Sequence, residues 1–121
     1  MIYTPIICPR GLEGDSGWRA ALHVLNCELL IHKGVGQFVD VERRSIYFRQ
    51  MLRAARPWSS GEKILVEVAA SLFSPEFKLH CSLWELTGRL DNENVALVAE
   101  ALRVAAGLDV SPWSVPEGGT Q

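Results

Sequence analysis

The chain has 121 residues, of which 48% are hydrophobic and 21% charged, and its formal net charge is −2. That length fits one domain able to bury a core without staples, and that composition excludes a disordered chain. The near-neutral balance excludes a strong global pull towards nucleic acid or membrane, and no apolar run reaches the ~18–20 residues of a spanning helix.

The first ten residues are apolar but carry Pro5 and Pro9, without a basic start and a long apolar stretch. The expectation is no secretory signal and a cytoplasmic setting. The three cysteines, Cys8, Cys27 and Cys81, are odd in number and form no CxxC pair, which suits a reducing compartment. Ile2, Tyr3, Ile6 and Ile7 suggest a short extended segment that Pro5 confines to an edge.

Ser16 is read as the N-cap of a first helix. Trp18, Ala21, Leu22, Leu25 and Leu29 give it an apolar face, and Gly34 and Gly36 end it. Gln37 to Val41 is either briefly extended or leads into a helix capped by Asp40. That second helix runs to about Arg56, with Val41, Ser45, Phe48, Leu52 and Ala55 inward. Pro57 stops it.

The clearest start signal is Ser59-Ser60-Gly61-Glu62, a capping box. Ile64, Leu65, Val68, Ala69 and Leu72 follow, and only Glu67 and Ser71 are polar between Val66 and Phe73. This third helix is therefore read as central and buried. A fourth covers Leu79 to Arg89, with Leu83, Trp84, Leu86 and Leu90 apolar. Asp91 caps a fifth, whose main stripe is Val95, Val98, Leu102 and Ala105, widened by Leu97, Ala101 and Val104. Gly107 ends it.

The fold expected is all-α: a single-domain bundle or orthogonal array of about five helices over residues 1–108. Residues 109–121, with Ser111-Pro112, Val115-Pro116 and Gly118-Gly119, form a Pro/Gly-rich C-terminal tail.

Charge is segregated along the chain. Residues 41–63 hold six basic and two acidic side chains, while residues 64–121 hold three basic and eight acidic. Arg49, Arg53 and Arg56 stand at i, i+4 and i+7, on one helical face. Such a stripe can bind phosphates or an acidic partner; it can also pair internally or stay solvated.

Residues 82–95 have the lengths of a helix-turn-helix, with Gly88 placed in the turn. A DNA reader needs Arg, Lys, Asn or Gln at the start of its second helix. Here Asp91 and Glu93 would repel phosphates, so a packed hairpin is the better reading. His23, Cys27, His80 and Cys81 invite a zinc or Cys–His reading. Adjacent His80 and Cys81 would splay about 100° apart on a helix, and no nucleophile elbow or orienting third group accompanies them. Gly34-Val35-Gly36 lacks the Gly-Lys-Ser/Thr ending of a phosphate loop. No catalytic residue, metal or cofactor is assigned.

Trp18, Trp58 and Trp113 fall near element ends, where aromatics serve as boundary core or interface anchors. Trp113, in the tail, is the best interface candidate. The function expected is a small non-enzymatic protein-binding module of a prokaryote: an accessory subunit, inhibitor or homo-oligomer. The alternative is a nucleic-acid-binding regulator using the arginine face. Arg49, Arg53, Arg56 and Trp113 are the candidate binding residues.

Overall fold

A computed structural model describes residues 6–7, 11–12 and 14–108. Trp113, Cys8 and the tail 109–121 lie outside the described residues. Among those described, the elements are α1 (Ser16–Leu25), α2 (Glu28–His32), a 3-10 turn (Val35–Phe38), β1 (Val39–Asp40), β2 (Ser45–Ile46), α3 (Phe48–Ala54), α4 (Ser60–Phe73), α5 (Leu83–Arg89) and α6 (Asn92–Ala105). The domain is all-α apart from one two-stranded hairpin, in which Val39 faces Ile46 and Asp40 faces Ser45.

α4 is central, as its apolar run predicts. It packs against α1, α2, α3, α5 and α6, and α1 also runs along α6. Ile64, Leu65, Val66, Val68, Ala69 and Ala70 of α4 are buried with Leu22, Val24 and Leu25 of α1 in one core. Each large apolar side chain buried there contributes about 1.5–3 kcal/mol before chain entropy is subtracted. The Ser59–Glu62 capping box forms as read: the Ser59 hydroxyl accepts from Glu62 N–H, and the Glu62 carboxylate accepts from Ser59 N–H.

Five local readings are corrected. Asp15, not Ser16, caps α1, accepting from Trp18 N–H at 3.1 Å. The single first helix is two, broken at Asn26-Cys27. The Asn26 side chain accepts from Ile6 N–H at 2.7 Å and donates to Ile6 C=O at 2.9 Å, mimicking a strand partner for the N-terminal segment. Gly34, at φ 79°, then ends α2. Without a Cβ it enters the left-handed region freely, and so does Gly107, at φ 80°, just after α6.

The second helix starts seven residues later than a start at Val41 implies. The Asp40 carboxylate does accept from Arg43 N–H at 3.1 Å, the bond an N-cap makes. A side-chain bond to the N–H three residues on also suits a turn, and here the chain turns into β2 instead. The 41–44 turn places Arg44 at φ 54°. A left-handed residue with a side chain costs about 1–2 kcal/mol, partly offset by the entropy glycine gives up on folding. Arg44→Gly is therefore expected to stabilise the fold by up to about 1 kcal/mol, read as a rise in thermal midpoint.

The fourth helix is likewise shorter than predicted. Ser82 and Glu85 form a second capping box, so α5 begins at Leu83. The chain from Leu79 to Ser82 is not helical, and of the four apolar residues read for this helix Leu83 and Trp84 are exposed while Leu86 and Leu90 are buried. Finally, the buried positions of α6 are Val98, Ala101 and Val104, whereas Leu102 is 53% exposed.

Candidate functional site

α3 is a short amphipathic helix. It has no side-chain N-cap, so packing rather than capping holds it. Phe48 and Met51 point into the core. Phe48 packs on Phe73 of α4 at 5.3 Å between ring centroids and on Phe77 of the α4–α5 connection at 5.8 Å. Phe73 in turn meets Trp18 edge-on at 5.7 Å. This aromatic row ties α1, α4 and the connection to the inner side of α3.

The outer side carries Arg49 and Arg53. Arg56 lies just past the helix end, yet lines the same feature. Arg49, Arg53 and Arg56 surround an open depression of about 340 Å³ together with Leu52 and Phe77. The three arginines singled out by spacing thus come together. Leu52 and Phe77 are half-buried and supply an apolar floor.

Their electrostatic states differ. Arg49 donates to the Glu76 carboxylate in an exposed ion pair. Arg53 and Arg56 have no carboxylate within ion-pair distance among the described residues. The internal-pairing alternative is realised for one arginine of three. Three carboxylates of the acidic half lie beside other residues: Glu67 3.6 Å from His80, Glu85 3.6 Å from Arg89 and Glu100 3.6 Å from His23. Guanidinium groups stay protonated and present a rigid fork of donors. Such forks suit carboxylate or phosphate recognition.

The described His and Cys residues are the other candidates. Among the described residues, no three of His, Cys, Asp and Glu are grouped to hold a metal ion. Burial pushes the Cys27 thiol up, and burial with Glu67 and Glu85 pushes up Cys81. Both changes disfavour the thiolate, the nucleophilic form. Gly88 lies inside α5, and only Leu90 and Asp91 join α5 to α6. At the start of α6, Asp91 accepts from Asn94 N–H at 2.9 Å and Glu93 is exposed, so carboxylates front that helix.

Burial lowers His23 from its ordinary value of 6.5, and Glu100 only partly offsets this. The neutral form is thus favoured in the fold. The unfolded chain takes up the proton first as pH falls, so this contribution is complete above about 6.5 and is lost as pH drops through the folded value. His23→Gln is expected to flatten the decline of stability on acidification below about pH 6.5, measured by urea unfolding at several pH values.

Of the four tryptophans, Trp18 is buried and Trp58 is half-buried, with Lys33 Nζ 5.6 Å from its ring centroid. Both are boundary core. Trp84 is 83% exposed beside exposed Leu83, which the apolar reading of α5 does not anticipate. The second capping box, Ser82-Leu83-Trp84-Glu85, was the available signal.

Comparison with known proteins finds no matching family model, no matching curated protein and no matching solved structure. No helix among the described residues is long and apolar enough to cross a membrane.

Proposed function

We propose that this chain is a small non-enzymatic protein-binding module that receives an acidic partner on the outer side of α3. The observation that carries this reading is the depression itself: Arg53 and Arg56, without carboxylate partners among the described residues, beside an apolar floor of Leu52 and Phe77. Its volume suits one or two side chains. Free thiols at Cys27 and Cys81 accord with a cytoplasmic setting. Among the described acidic residues of the C-terminal half, Glu67, Glu76, Glu85 and Glu100 have basic neighbours and Asp91 caps α6, which favours a different protein in the groove over a head-to-tail second copy.

The second reading is a nucleic-acid-binding regulator on the same arginines. Affinity for a duplex grows with the number of phosphates neutralised. Two guanidinium groups without a carboxylate neighbour among the described residues offer few such contacts.

The test passes the protein over immobilised poly-L-glutamate and over an immobilised oligonucleotide at low salt. Retention on polyglutamate, released by salt and lost in Arg53→Ala/Arg56→Ala, is expected. Retention on the oligonucleotide alone favours the second reading. Retention on neither removes both.

A further inference from the structure

We propose that the groove recognises a carboxylate placed next to an aromatic or large apolar side chain, and that Glu76-Phe77 is the chain's own copy of that ligand. The proposal rests on the reading of the groove as a partner site and names the partner's chemistry.

The α4–α5 connection docks on α3 through two adjacent residues. Glu76 gives its carboxylate to the Arg49 guanidinium, and Phe77 lays its ring against Phe48. An acidic residue and its apolar neighbour thus already occupy one arginine and one apolar contact of this helix. Arg53 repeats the Arg49 position one turn on, and Arg56 follows. Beside them lie Leu52 and the uncovered part of Phe77. The second half of the face therefore repeats the chemistry of the first without its ligand.

Charge and apolarity act together at such a site. Arg binds a carboxylate through two parallel N–H···O bonds, but an exposed pair alone contributes little. An apolar side chain on Leu52 and Phe77 removes area from water and shields the neighbouring ion pair. A ligand with both groups should bind more tightly than one with carboxylates alone. Glu76 itself holds Arg49 from an outside carboxylate, so removing its charge frees a third guanidinium.

Fluorescence anisotropy with two labelled synthetic octapeptides tests this. Both carry four glutamates; one fills the remaining positions with serine, the other replaces two serines by phenylalanine beside a glutamate. The phenylalanine peptide should bind about tenfold more tightly, the scale set by burying one side chain. Leu52→Gln should remove that advantage. Glu76→Gln should tighten both peptides severalfold. Melting curves check that each variant is folded. Equal affinity for the two peptides, with polyglutamate retention preserved, overturns this inference and leaves the partner site standing. Loss of binding to both peptides and to polyglutamate overturns the partner site as well.

Discussion

Replacing Phe48 with alanine is expected to cost about 3–5 kcal/mol of folding stability. Phe48 is 1% exposed. It touches rings from two other parts of the chain, Phe73 and Phe77. Truncation loses the transfer energy of the ring and leaves a cavity that neighbouring aromatics cannot fill without moving. A domain of this size has roughly 5–15 kcal/mol in total, so the variant should melt far below the parent or fail to fold at growth temperature. Urea unfolding with tryptophan fluorescence measures the loss, since Trp18 belongs to the same row. Phe48→Leu should cost clearly less, because most of the volume remains. Arg53→Ala and Arg56→Ala should leave the midpoint within about 0.5 kcal/mol, as exposed substitutions do. That contrast separates the two sides of α3: the inner side holds the fold, and the outer side can change without it. A midpoint unmoved by Phe48→Ala would contradict the packing described for α3.

Sequence pattern was most legible where local and tertiary signals agree. α4 has a capping box and a broad apolar run, and both are satisfied in the fold. The arginine stripe was legible for a similar reason, since i, i+4 and i+7 spacing survives even though Arg56 lies beyond the helix end. What pattern could not supply was the rest of the groove. Phe77 arrives from a connection 21 residues beyond Arg56 in the sequence, and only the packing of that connection on Phe48 makes it the floor. Glu76 reaches Arg49 by the same route. Asp40 shows the opposite failure: its side-chain bond to Arg43 N–H is common to a helix start and a turn, so the local signal was real but ambiguous. Asn26 breaks the first helix through a partner 20 positions away, Ile6. No periodicity within the helix encodes that contact.

Adjacent positions on α6 give the sharpest test of how that helix faces the core. Ala101→Gln is expected to destabilise by about 2–5 kcal/mol, from overpacking and a buried amide without partners. Leu102→Gln should stay within about 0.5 kcal/mol. Ala101 is fully buried in the main core, and Leu102 is 53% exposed. The sequence pattern puts Leu102 on the main stripe with Val95, Val98 and Ala105, and Ala101 only on its widened edge with Leu97 and Val104, which ranks Leu102 first. Hydrophobicity alone ranks Leu102 above Ala101 as a core residue. Close helix packing ranks them the other way, because a small side chain is what lets α6 approach α1. Ala20 of α1 and Val104 of α6 pack in a second buried cluster, where another alanine meets this helix. Chemical denaturation of the two variants decides between the two orientations, and a costly Leu102→Gln beside a tolerated Ala101→Gln would rotate α6 by about one residue, or 100°.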